Sequence, residues 1–240
     1  MWPFRRKKPT PPKSESPPVY CLQPQIPDLP SGFGYKNTWW AFPTQDTSAV
    51  VAAIELQNPQ PANWQTGILH AYQQSVFVAP PIGKWTFVAG FDLPPSSTNA
   101  RQEVIDPLLQ LSQVFGEAQA FSTHRVVGYN VWAKAVSGQL IRGFGYLGES
   151  GETFWDEGEM TPEEHNLGFR FFDERLPEAE DDSYWDREDL SYPDEDHVMQ
   201  IAAAWSISPT TLDSCHYQKP QLGVLGTTAR RLDEVRSRRD

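Results

Sequence analysis

Three histidines with neighbouring carboxylates are the residues of this 240-residue chain best suited to move protons. His165 follows Glu163 and Glu164, His197 stands among Asp194 and Asp196, and His124 closes a run that reads as a strand. If folding unites these segments, an imidazole beside a carboxylate would suit general acid–base hydrolysis of a small molecule. His124, His165, His197 and Glu164 are then the catalytic candidates. The spacing also allows a plainer use, because His165 and His197 both fall in acid-rich first turns of predicted helices, where carboxylates complement the dipole. The chain has no H-E-x-x-H, no H-x-E with a cysteine pair and no calcium loop, so neither a metal site nor a cofactor is predicted. It also lacks the G-x-S-x-G elbow of a serine hydrolase. Cys21 and Cys215 are too far apart in sequence to suggest a metal spacing or a disulfide framework and read as two thiols.

Gly143, Gly145 and Gly148 satisfy the G-x-G-x-x-G pattern. A dinucleotide loop needs such glycines between a strand and a helix, whereas these lie along a predicted strand and run into Glu149 and Glu152. They read as a glycine-rich strand beneath aromatic rings. Arg142, flanked by Leu140 and Phe144 on alternate positions, is a cation on an otherwise apolar strand face. It must meet an acid, either within the protein or on a bound carboxylate.

The other chemistry is charge. The formal net charge is −11. Nineteen acids stand against three arginines between Glu149 and Asp196, while basic residues crowd both ends of the chain. An acidic body repels phosphate backbones, so no nucleic acid is expected on the folded domain, and a basic protein is the expected partner. Trp155 and Trp185 lie inside this stretch, near Asp156, Glu157, Glu159 and Asp186. Aromatic anchors ringed by charge are typical of protein interfaces, which makes these six residues and Arg142 the binding candidates. A loop folded back on its own domain accounts for the two tryptophans as well. The expected function is therefore a cytoplasmic binding or adaptor module, of which an immunity or inhibitor protein is one form. The hydrolase is the alternative.

The elements that must position these residues are predicted from periodicity and punctuation. Tyr35 to Pro43 reads as a strand, followed by a helix capped by Thr44 or Asp46 and stopped at Asn58-Pro59. Trp64 to Gln74 fits helical spacing except for Gly67. Ser75–Ala79 and Trp85–Leu93 form a hairpin with Trp85, Phe87, Ala89, Phe91 and Leu93 on one face. A helix within 99–115 should start at Asp106-Pro107, with any earlier turn kinked or separate. Ala118–His124, Val126–Val136 and Gln139–Leu147 make a meander through the two-residue turn Ser137-Gly138, a register that sets Trp132 opposite Gly143. Thr161-Pro162-Glu163-Glu164 is a capping box, and Asp194 starts a helix with Val198, Ile201, Ala202 and Trp205 inward.

The expected class is α+β: an antiparallel or mixed sheet with helices mainly on one face, flanked by disordered tails. Residues 1–33 form a basic, proline-rich head with nine prolines in the first thirty positions. Residues 34–213 form one domain whose acidic loop region is 149–196, and 214–240 a basic tail. Trp2 and Phe4 beside Arg5, Arg6, Lys7 and Lys8 are suited to a weak contact with an anionic membrane surface. No apolar stretch follows them to suggest a secretory signal or a span.

Overall fold

The computed structural model of the protein describes residues 25–91, 93–215 and 219–228. The basic start with Trp2, Phe4, Arg5, Arg6, Lys7 and Lys8, together with Cys21 and most of the basic tail, lies outside the described residues. The fold is α+β, built on one nine-stranded antiparallel sheet. Its strands are β1 (Thr38–Phe42), β2 (Gln57–Ala62), β3 (Val76–Val78), β4 (Thr86–Ala89), β5 (Glu117–His124), β6 (Tyr129–Val136), β7 (Gln139–Leu147), β8 (Glu152–Glu157) and β9 (Gly223–Thr227). The order across the sheet is β2-β9-β3-β4-β1-β5-β6-β7-β8.

Helices cover both faces, not mainly one. Trp39 and Trp40 are adjacent on β1, so the period of two sends them to opposite sides, and both are buried. Beside Trp39 lie Phe77, Phe87, Phe121 and Trp132, packed with α2 (Trp64–Ala71) and α5 (Glu195–Trp205). Beside Trp40 lie Phe42, Val78, Val88 and Val131, packed with α1 (Thr47–Ala53) and α3 (Ala100–Phe115). A sheet covered on both sides needs apolar side chains at successive positions, which is why β1 reads Thr-Trp-Trp-Ala-Phe without polar alternation.

Local signals account for most boundaries. Asp46 caps α1 by accepting the Ala49 N–H. In α2, Gly67 is required by close approach, since a β-carbon there would fall 2.3 Å from the Phe77 ring. α4 (Pro162–Asn166) carries the full capping box of Thr161 and Glu164.

Several expectations are corrected. α3 runs through Pro107 without interruption, because the buried stripe Ala100, Val104, Leu108 and Leu111 ties both halves to the sheet. Around β4 only Trp85, Phe87 and Ala89 share the expected face; the strand ends at Ala89, leaving Phe91 exposed and Leu93 in the opposite cluster. The hairpin turn has positive φ at Ser137 and Gly138, as its two-residue length requires. A bulge between Lys134 and Ala135 nevertheless shifts the register by one, so that Trp132 faces Phe144 and Ala133 faces Gly143.

The domain also extends beyond 34–213. β9 lies inside the segment read as a tail and sits between β2 and β3. On the other side, Phe33 is buried, and Asp28 accepts the Trp64 and Gln65 N–H groups at the start of α2. No helix among the described residues is long and apolar enough to cross a membrane.

Candidate functional site

The acidic stretch falls into two physically different parts. The first is an internal charge network between β7, β8 and α4. Arg142 is buried; its Nε donates to Glu164 Oε1 at 3.0 Å, and its Nη1 donates to Asp156 Oδ1 at 2.6 Å and to the Gly158 carbonyl at 2.9 Å. Glu164, buried as well, also accepts from Trp132 Nε1 at 2.9 Å and from the Thr161 N–H at 2.7 Å. Three donors on a buried carboxylate offset its desolvation. Glu164 therefore joins the sheet, α4 and its cap in one network.

Asp156 is shared. Its second oxygen accepts from Arg175 Nη2 at 2.7 Å, and Arg175 also pairs with Asp173 at 2.7 Å. The hydrogen bond from Arg175 holds the Asp173 carboxyl below its usual range, and Asp173 and Asp156 raise the Arg175 guanidinium above its own. These groups and Phe144, Phe169 and Phe171 line a cavity of about 510 Å³. Glu157 pairs with Arg101, whose hydrogen bond lowers its pKa. Trp155 is buried, its ring lying over Gly143, where a β-carbon would fall 2.1 Å away. The glycine pattern of β7 thus receives indole and phenyl rings, since Phe154 lies in the same way over Gly145.

The second part is the loop after Arg175, which is ordered by aromatic packing and not simply solvated. Phe172 stacks on Trp185 at 5.4 Å between ring centroids, meets Tyr184 edge-on at 5.6 Å and packs on Tyr192 at 4.8 Å. The Tyr184 hydroxyl accepts the Asp173 N–H at 2.8 Å, and Trp185 Nε1 donates to the Ala179 carbonyl at 3.0 Å. Two short 3-10 turns, Pro177–Glu180 and Asp182–Asp186, follow from this pinning. Glu178, Glu180, Asp181, Asp182, Asp186, Glu188 and Asp189 are left exposed along one ridge, with Arg187 paired to Asp189 at 2.7 Å.

Of the expected binding residues, then, Trp155 belongs to the core and Arg142, Asp156 and Glu157 are engaged in ion pairs. Trp185 is half-buried under the ridge, while Glu159 and Asp186 are exposed. The sequence marks the acidic stretch as a binding face with Trp185 and Asp186 among its residues; what it does not reveal is that Phe172 and Tyr184 pack beneath it.

The histidines are not brought into one site. His165 is exposed on α4. His197 serves the cap of α5, its Nδ1 2.6 Å from Asp194 Oδ1 and its ring edge-on to Phe169 and Phe171. His124 ends β5 and lines a separate cavity whose described lining holds no carboxylate. Among the described residues no group of three or more His, Cys, Asp and Glu side chains is placed to hold a metal. Cys215 is buried in the core cluster that α5 joins.

Arg187 hydrogen-bonds Asp189 and lowers its pKa to about 2, while Asp173 and Glu157 are lowered by Arg175 and Arg101. A folded-state pKa below the unfolded value gives stability that is complete above the unfolded value and lost as pH falls through the folded one. The urea midpoint should therefore stay level down to about pH 4 and decline from there toward about pH 2. A midpoint that rises on acidification below about pH 4 would contradict these pairings.

Comparison with protein-family models, with curated proteins and with solved structures finds no match to this chain. Its class follows from fold and site: an antiparallel α+β protein with both sheet faces covered, presenting an aromatic-pinned acidic ridge at one end of the sheet.

Proposed function

We propose that this protein is a binding module that engages a basic protein surface through the ridge at residues 178–189. One observation carries the reading: seven exposed acids and one arginine lie on or beside two short turns that Phe172, Tyr184 and Trp185 pin to the domain, four of the acids within the turns themselves. Disordered acidic runs lose entropy on binding, whereas a pinned ridge presents its charge in advance. Such a field accelerates encounter and selects partners of opposite charge more than it sets affinity. The surface suits an immunity or inhibitor protein masking a basic site, or an adaptor subunit. A cytoplasmic location belongs to the same proposal, because the cysteine usage offers no disulfide framework.

The test is reversal of four ridge charges, Glu178, Glu180, Asp182 and Asp186, to lysine. These side chains are exposed, so thermal stability should hardly change. A stoichiometric basic protein that copurifies with the tagged wild type at low salt should be lost in high salt and lost with the variant. Its association rate should fall on the order of 10-fold or more. Retention of that partner by the reversed ridge would refute the assignment.

A further inference from the structure

A second site lies across the sheet from the ridge, where β1 begins, β5 ends, β6 begins and β7 ends. There a cavity of about 360 Å³ is enclosed by Lys36 to Thr38, Phe91, the 95–98 loop, Ser122 to His124, Val127, Tyr129 and Leu147. This is the size range of small-molecule pockets. Its lining differs in charge from that of the acidic cavity beside Arg142. Among the described residues no Asp or Glu lines it, although the chain carries −11 overall. Two other cavities do carry acids: Glu55 in one, and Asp156, Glu159, Glu164 and Asp173 in the other.

Most of the hydroxyls around this pocket are already used. Thr38 and Ser122 bond each other at 2.7 Å, Tyr129 donates to the Ser97 carbonyl at 2.8 Å, and Thr123 Oγ1 accepts the Lys36 N–H at 3.0 Å. Glu103, the nearest acid of α3, is occupied by the Ser96 N–H and the Ser96 and Ser97 hydroxyls behind the loop. Two groups remain. His124 Nδ1 is buried without a hydrogen-bond partner, its ring edge-on to Phe91. Lys36 is exposed at the rim, makes no ion pair among the described residues, and is held at a φ of 57° by that bond to Thr123. The apolar part of the lining is Phe91, Val127 and Leu147.

We propose that this pocket binds a small carboxylate with an apolar body, its charged end between Lys36 and His124 and its hydrocarbon against Phe91, Val127 and Leu147. A buried polar atom without a partner costs stability that a bound acceptor restores, and an ammonium at the mouth selects for negative charge.

Hexanoate titrated into the full-length protein, followed by amide chemical shifts, is the direct test. Hexanol supplies the same body without the charge, and acetate the charge without the body. The proposal expects saturable shifts at residues 122–129 with hexanoate, and binding at least about tenfold weaker with each of the other two. Lys36→Met, at an exposed position, should keep the melting temperature and weaken hexanoate about tenfold. His124→Phe should weaken it similarly. Equal binding of hexanol and hexanoate would overturn the assignment, as would hexanoate binding undiminished by Lys36→Met or an absence of saturable shifts.

Discussion

Arg142→Ala should destabilise the protein by about 3–5 kcal/mol, read as a drop in the urea midpoint at neutral pH. The cause is not lost attraction alone. Removing the guanidinium leaves Glu164 buried with only Trp132 and the Thr161 N–H as donors, and leaves Asp156 to Arg175. An uncompensated buried carboxylate is among the costliest things a single substitution creates. The double variant Arg142→Met with Glu164→Gln should recover part of the loss, because both charges are gone and the packing volume is kept. If Arg142→Ala costs no more than about 0.5 kcal/mol, as a surface substitution does, then water reaches Glu164 and the network is not a structural hub.

Trp155→Ala should cost a similar amount, about 3–5 kcal/mol, by opening a cavity over Gly143 that β7 and β8 cannot close. This result separates two roles for the same residue. An interface anchor replaced by alanine loses its partner and keeps its fold, whereas a core indole loses stability and weakens binding only through unfolding. Unchanged thermal stability in Trp155→Ala would restore the residue to the surface.

Helix starts and the central meander were legible because their signals are local. Thr161 to Glu164 and Asp194 carry their caps within four residues, and Ser137-Gly138 sets its turn by backbone conformation alone. The register of Trp132 was not legible, since a bulge inserts its extra residue without a distinctive side chain. In the sequence Asn58-Pro59 reads only as a helix stop, yet the segment forms β2, an edge that pairs only with β9, where proline is tolerated. In β8 the alternation is broken, because the register shift beside Phe154 sends Thr153 and Trp155 to opposite faces, and the density of acid hid the strand further.

The candidate sites divide in the same way. The sequence identified Arg142 as a cation needing an acid and showed the acidic stretch that supplies one. It did not show that Phe172 and Tyr184 pin the following loop, because those contacts join segments separated by turns without a period. The pocket at Lys36 and His124 was invisible for a stronger reason. Its walls come from residues near 37, 95, 123 and 147, brought together only by the strand order β4-β1-β5-β6-β7.

The position of β9 bears on how the chain is made. Seven strands, from β3 through β8 with β1 among them, can assemble as synthesis proceeds, but β2 is made early and has no partner until residues 223–227 emerge. Throughout that interval β3, with Val76, Phe77 and Val78, stands as an apolar border open to any passing strand. A nascent chain of this protein would therefore be most prone to associate with its neighbours on the ribosome just before β9 emerges.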